Sequence, residues 1–341
     1  MLMNYPINEI IAALEKPSAY PHSTSSIRRI ITGVSVVFLT GEFAYKFNKP
    51  MDLGFLDFST LEKRKEQCLK EVKYNSLISP ELYLGVVPIV KDNYGNISIT
   101  GSGETIEYAV KMRQMDPEAI MSSFLEKNKI DSSHIKQAAK EIYSFHQKAI
   151  TNPEISSFGK VENIQFNWDE NFQQTENYQN KIINSEDFSF IQKKVNNFIQ
   201  KNKELFHQRV INNQIKHCHG DFHSANIFIT ENGPLIFDGI VFNQRFPCSD
   251  VAAEVAFMAM DLDFHNRKDF SDLFVKEYSV LSNDDDIPKL LDFYKCYRAY
   301  IRAKIGCFTS DDQNLTNEEK EKTILTAKEY FNLAKRYAEN F

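Results

Sequence analysis

The sequence predicts an α+β chain with two unlike parts, strands around a single helix first and helices afterwards. Three observations carry this. The early chain alternates short β-prone runs with turn residues, as in Val34–Leu39, Thr40-Gly41-Glu42 and Phe43–Phe47. Beyond Asp116-Pro117 the pattern becomes helical. Inside that helical part lies His219-Gly220-Asp221-Phe222-His223-Ser224-Ala225-Asn226, followed by two β-prone runs and Asp238-Gly239.

Taken in order, Lys46 alternates with apolar Tyr45 and Phe47, the pattern of a strand. Ser59-Thr60-Leu61-Glu62 reads as a capping box opening a helix that runs to about Ile78, ahead of Pro80 and a strand at Tyr83–Val87. Gly101-Ser102-Gly103, with Asn93–Asn96 and Ile97–Thr100, reads as the end of a strand hairpin. An extended run, Glu107–Met115, stops at Asp116-Pro117. Asp131-Ser132-Ser133 caps a helix whose apolar positions Ile135, Ala138, Ile142, Phe145 and Ala149 form a buried face. His146 beside that face reads as a satisfied core histidine, not a ligand. Residues 151–210, rich in Asn, Gln, Lys and Glu with scattered aromatics, read as inserted helices. A short loop through Pro247-Cys248-Ser249-Asp250 then leads to a helix at Val251–Phe257.

The chemistry concentrates around the second hairpin. Ile227–Ile229 and Leu235–Phe237 flank the turn residues Glu231-Asn232-Gly233-Pro234. Such a hairpin brings Asn226, before its first strand, close to Asp238, after its second. One amide oxygen and one carboxylate suit magnesium, which completes its octahedron with phosphate and water. Asp221, on the preceding loop, remains to meet a substrate hydroxyl. These residue types in this order point to a magnesium-nucleotide site.

The run His219, Gly220, Asp221, His223, Asn226, with Asp238 after the hairpin, resembles the aminoglycoside phosphotransferases and their relatives in the protein-kinase-like superfold. The likeness runs from about His22 to about Phe308. It is nearest to a bacterial branch carrying segments like Lys49–Thr60 and Ala259-Met260-Asp261-Leu262-Asp263. It implies a bilobal fold, with an N-terminal nucleotide-binding lobe at 1–113 and a helical C-terminal lobe at 114–341 holding the catalytic loop and the insertion. It also implies transfer of the γ-phosphate of ATP or GTP, with Mg2+, to a hydroxyl of a small molecule. Asp221 would orient that hydroxyl, His223 would assist near the transferring group, and Asn226 and Asp238 would hold the metal. Lys46 would hold the α- and β-phosphates. Glu66 and Glu71 are both candidates to pair with it, and the spacing to Pro80 and the next strand favours Glu71. Gly33 is the single glycine where protein kinases use three, so nucleotide preference stays open. Met112 to Met115 would supply the adenine contact, and Asp250 would tie down the catalytic loop. Asp261 and Asp263 read either as an acidic cleft or as an exposed helix end.

Composition bounds the partners. The 341 residues suffice for two cores, and a net charge of −6 argues against general nucleic-acid binding. No apolar run approaches a membrane span and no signal segment opens the chain, which leads to the expectation of a cytoplasmic protein. Five irregularly spaced cysteines fit reduced thiols. Three other functions compete. His217, His219, Asp221 and His223 approximate the ligand cluster of metal-dependent hydrolases, but the last histidine is one residue late. A nucleotide-binding pseudokinase or scaffold, and nucleotidyl transfer on the same fold, would use the same residues.

Overall fold

The computed structural model describes residues 5–24, 26–54 and 56–341. Phe55, within the segment Lys49–Thr60, lies outside the described residues, as do positions 1–4 and 25 of the N-terminal lobe expected at 1–113. In chain order the elements are α1 (Ile7–Leu14), β1 (Arg28–Ile31), β2 (Ser35–Leu39), β3 (Phe43–Asn48), α2 (Leu61–Asn75), β4 (Tyr83–Lys91), β5 (Ile97–Ile99), β6 (Glu104–Arg113), α3 (Met121–Glu126) and α4 (Ser132–Lys148). There follow α5 (Pro153–Ser157), α6 (Val161–Thr175), α7 (Ser185–Lys201), α8 (Lys203–Ile211), β7 (Ile215–His217), β8 (Ile227–Thr230), β9 (Gly233–Ile236) and β10 (Cys248–Asp250). Four helices close the chain: α9 (Val251–Phe264), α10 (Lys268–Ser282), α11 (Ile287–Ser310) and α12 (Asn317–Glu339). These divide into two compact units, Met1–Ile120 with Asn226–Gln244, and Met121–Ala225 with Arg245–Phe341.

The first unit is built on a six-stranded antiparallel sheet in the order β1-β2-β3-β6-β4-β5. One face buries Val36, Phe38, Tyr45, Phe47 and Ile89 with Ile10 and Leu14 of α1. Alternation along β3 sends Tyr45 and Phe47 into that core and Lys46 to the opposite face, where α2 lies. Thr60, not Ser59, caps α2: its hydroxyl accepts the Lys63 N–H. Glu62 therefore falls one position short of closing a capping box, and Ser59 turns instead to Asp57. The β8–β9 hairpin is tighter than its turn residues suggest. Gly233 and Pro234 pair with Thr230 and Ile229 inside the ladder, so only Glu231 and Asn232 make the turn. Pro234 is tolerated because this two-stranded ribbon is all edge.

The second unit is helical apart from the β7–β10 pair. At its centre α9 is buried on every side from Val251 to Leu262, as a helix that is apolar all round must be. α4 buries Ile135, Ala138, Ile142, Phe145 and His146, while Ala149 is its C-cap. The insertion forms α5 to α8, and Trp168 of α6 stacks on Phe172 and meets Phe293, Tyr297 and Tyr300 of α11 edge-on or tilted. All five cysteines are buried free thiols. No helix among the described residues is long and apolar enough to cross a membrane.

α11 and α12 approach closely at Gly306, where a Cβ would stand 2.9 Å from the Ala327 Cβ. Gly306→Val should therefore destabilise the protein by about 1–3 kcal/mol through overpacking. The midpoint of urea unfolding measures this, and an unchanged midpoint would show that the two helices yield without cost.

Candidate functional site

Each unit carries its own constellation of polar groups. In the first, Lys46 reaches across the α2 face of the sheet, with Nζ 2.9 Å from Glu71 Oε1 and 2.6 Å from Asp238 Oδ1. Glu66, the other candidate partner, is exposed on the far side of α2. Burial works to lower the lysine pKa, but Asp238 and Glu71 outweigh it and hold the ammonium well above its ordinary value. Burial pushes the Glu71 carboxyl up, with Lys46 opposing that shift.

Asp238 is held there by its backbone. Its φ of 63° lies in the left-handed region, which aspartate tolerates better than most residues. Its N–H donates to the Tyr83 hydroxyl at 2.9 Å, and the Gly239 N–H donates to Asn75 Oδ1 at 2.7 Å. Ser79 grips the same segment by donating to the Ile236 carbonyl at 2.8 Å. Sequence reasoning missed Asn75, Ser79 and Tyr83. The one available signal was that Asn75 stands a helical turn beyond Glu71 and so shares its face.

The hairpin closes as its turn requires. The Phe237 N–H donates to the Asn226 carbonyl at 3.0 Å, which brings the residues before β8 and after β9 side by side. An amide and a half-exposed carboxylate at the two ends of one ribbon are the hard oxygen donors that magnesium takes, so the residues present fit that ion. Gly33 lies in the turn between β1 and β2 with open space where a Cβ would be. The Val34 and Ser35 N–H groups of that turn are already taken by Thr32 Oγ1, at 3.3 and 2.9 Å. Met112, in β6, and Met115, just after it, pack with Phe237 on the cluster of Cys68, Leu82, Tyr83 and Val110.

In the second unit the loop around Asp221 is fixed from beneath. Glu254, fully buried on α9, accepts the His219 N–H at 2.8 Å and the Gly220 N–H at 2.7 Å. Its Oε2 also lies 2.9 Å from His146 Nε2, and His146 Nδ1 lies 2.7 Å from the Tyr278 hydroxyl. Arg298 donates to the Gly220 carbonyl at 3.1 Å. The clamp expected at Asp250 thus sits one helical turn further on, at Glu254. Asp250 instead caps α9 and pairs with Arg209 at 2.7 and 2.9 Å. Asp261 and Asp263 do not form an exposed helix end. Asp261 is buried and accepts the Ser224 N–H at 2.9 Å, while Asp263 holds Lys295 and the Tyr337 hydroxyl.

Asp221 itself is partly exposed, and His223 Nε2 lies 3.4 Å from its Oδ2. Because His223 Nδ1 accepts the Ala225 N–H, the hydrogen-bond pattern assigns the ring proton to Nε2, facing Asp221. Burial would raise the Asp221 carboxyl, but the His223 hydrogen bond and charge, His219 and Arg302 together hold it below the usual carboxylate range. Among the described residues, only His146, Cys218 and Glu254 gather enough ligand atoms for one ion. Those atoms are already committed to hydrogen bonds, and the histidines 217, 219 and 223 do not form the hydrolase cluster.

No family model matches the chain. An uncharacterised protein of Mycobacterium bovis and one of Mycobacterium tuberculosis are each 30% identical over 276 residues, covering 81% of this chain and 54% of theirs. The chain thus spans about half the length of the curated relatives it matches. Among solved structures, a choline/ethanolamine kinase family protein from Mesorhizobium loti gives a TM-score of 0.53 at 10% identity, covering 98% of this chain and 99% of its own. Choline kinase from Cryptosporidium parvum gives 0.53 at 12%, covering 98% and 95%, and an aminoglycoside phosphotransferase from Alicyclobacillus acidocaldarius gives 0.50 at 11%, covering 95% and 93%. The chain has the protein-kinase-like fold of these structures.

His146→Ala would leave the Glu254 charge buried without its counterpart, and a loss of about 3–5 kcal/mol is expected from urea unfolding at neutral pH. Burial would raise the Glu254 carboxyl, but the His146 hydrogen bond and charge, with His219, hold it lowered, so it stabilises the fold above its unfolded value. That contribution should fade as pH falls through the folded value, and more steeply in the native protein than in Glu254→Gln. Identical acid unfolding of the two would remove Glu254 from this role.

Proposed function

We propose that the chain is a phosphotransferase that moves the γ-phosphate of ATP or GTP to a hydroxyl of a small molecule. The observation that carries this reading is the convergence of Lys46, Glu71 and Asp238, a cation between two carboxylates drawn from a strand, a helix and a hairpin far apart in sequence. The solved neighbours' names, choline kinase and aminoglycoside phosphotransferase, support the same class of chemistry.

In this reading Lys46 neutralises the nucleotide phosphates and Glu71 keeps its ammonium directed. Asn226 and Asp238 would hold magnesium, which supplies charge neutralisation on the phosphates. Asp221 accepts a hydrogen bond from the substrate hydroxyl and aims its oxygen at the γ-phosphorus. As the new O–P bond forms and the bond to the leaving diphosphate breaks, the hydroxyl proton passes to Asp221 Oδ. His223, donating from Nε2, fixes the rotamer of that carboxylate. Catalysis is then mostly positioning and electrostatic stabilisation. The chain itself links the two constellations, since the Asp221 loop runs into Asn226 within five residues.

The first test is thermal unfolding with ATP or GTP, with and without magnesium. Nucleotide at about a hundred times its Kd should stabilise the native state by roughly 2.7 kcal/mol, several degrees in midpoint. The gain should require magnesium, vanish in Asp238→Asn and persist in Asp221→Ala. Failure of both nucleotides to shift the midpoint would overturn the reading. Once a hydroxyl acceptor is found among choline, ethanolamine and aminoglycosides, Asp221→Ala should lose at least about a hundredfold in turnover. Because Asp221 is held below the ordinary carboxylate range, the native enzyme should show no acid limb from it between about pH 5 and 8. A limb near pH 6 that disappears in Asp221→Ala would contradict that.

A further inference from the structure

The helix that carries Glu71 is held more by charge than by apolar contact. α2 packs on β6 and β4, and its buried residues are Arg64, Gln67, Cys68, Glu71 and Asn75. Leu61, Val72 and Tyr74 are only partly covered, and Leu69 is exposed. Arg64, Cys68, Glu71 and Asn75 follow one another at helical spacing, so they lie on one face. At the start of that face Arg64 Nε donates to Glu107 Oε2 of β6 at 2.7 Å, and Arg64 Nη1 donates to the Phe58 carbonyl at 2.9 Å. Glu107 Oε1 accepts the Tyr108 N–H at 3.0 Å, which fixes the orientation of the carboxylate. Both charged side chains are buried.

We infer that Arg64 and Glu107 are positioning residues, whose ion pair sets the rotation and register of α2 and thereby keeps Glu71 on Lys46. The sheet offers two points, Glu107 on β6 and Lys46 on β3, and Lys46 pairs with Val110, a few residues along β6 from Glu107. α2 answers with the opposite charges in matching order, Arg64 and then Glu71, about two turns apart. A rotation or slip of the helix that opened one pair would open both. Apolar contact is non-directional and would not resist such a slip, whereas fixing a register is the best-attested use of a buried polar or ionic group. The Thr60 cap fixes where α2 begins, and Arg64 fixes which way it faces. Burial pushes the Glu107 carboxyl up to about 7, with Arg64 opposing that shift, so the pair is charged at pH 8.

The test follows Lys46 itself in the full chain without nucleotide, so it stands apart from the phosphotransferase reading. At pH 8 the rate at which an acetyl N-hydroxysuccinimide ester acylates Lys46 is measured by mass spectrometry, with exposed Lys140 of α4 as the internal reference. Arg64→Met combined with Glu107→Leu removes both charges together and leaves no lone ion buried. Lys46 should then react about tenfold faster, the change that one pKa unit makes in the free amine, as it should in Glu71→Gln. Adding Glu71→Gln to the double variant should raise the rate no further, because both changes act through one carboxylate. Glu107→Gln keeps the shape of the side chain and should shift Lys46 in the same direction, which covers the case in which the double variant does not fold. A folded variant whose Lys46 reacts at the native rate would overturn the inference. So would additive effects of the double variant and Glu71→Gln, the result of a general loosening. Where Lys46 holds nucleotide phosphates, the same variants should also weaken magnesium-ATP binding about tenfold. Unchanged ATP affinity beside a faster Lys46 would count against the phosphotransferase reading and leave the role of the pair intact.

Discussion

The helical unit depends on one buried anion. Glu254 sits on the central helix with no exposure to solvent, and an isolated carboxylate there would cost several kcal/mol. Its two oxygens are satisfied by the N–H groups of His219 and Gly220 and by the imidazole of His146. The loop that carries Asp221 is therefore anchored to the centre of the unit, and Gly220 adopts the left-handed conformation (φ 85°) that lets successive N–H groups point at one carboxylate. The direction of the Asp221 carboxylate depends on that anchorage, because a side chain on an untethered loop has no fixed direction.

The first unit solves a similar problem by a different route. Lys46 is directed by the alternation of β3, Glu71 by the phase of α2, and Asp238 by a hairpin whose last residues are bonded to Asn75, Ser79 and Tyr83. Three elements converge because each is fixed elsewhere, by the apolar sheet core, by the Thr60 cap and by the β8–β9 ladder. The ion pairs decorate this convergence more than they create it.

What the sequence revealed follows from how local each signal is. Lys46 was readable from period-two alternation, the hairpin from its turn residues, and Glu71 from its distance to Pro80 and the next strand together with the family resemblance. The inserted helices 151–210 were readable as helices but not in their packing, since the Trp168 stack joins residues more than a hundred positions apart. Glu254 was missed because a glutamate inside an apolar helix resembles any other helix former until its long-range partners are known. Asp250 drew attention instead, having the better resemblance, although its partner is Arg209. The capping box failed by a single residue, because the backbone of Thr60 and not that of Ser59 turns into α2. Asp261 and Asp263 looked solvent-facing by composition alone; only the three-dimensional path of Ser224, Lys295 and Tyr337 shows that both are used internally.

The left-handed backbone at Asp238 has a further consequence for how this protein can change. Glycine would relax the backbone there at no steric cost, and on stability grounds alone it would be the better residue. That exchange would forfeit the carboxylate that Lys46 meets at 2.6 Å. Selection for a more stable chain and selection for a charged hairpin end therefore pull in opposite directions at this one position. A lineage released from the need for the charge would be expected to drift to glycine or asparagine at 238 before the surrounding grip of Asn75 and Tyr83 decayed.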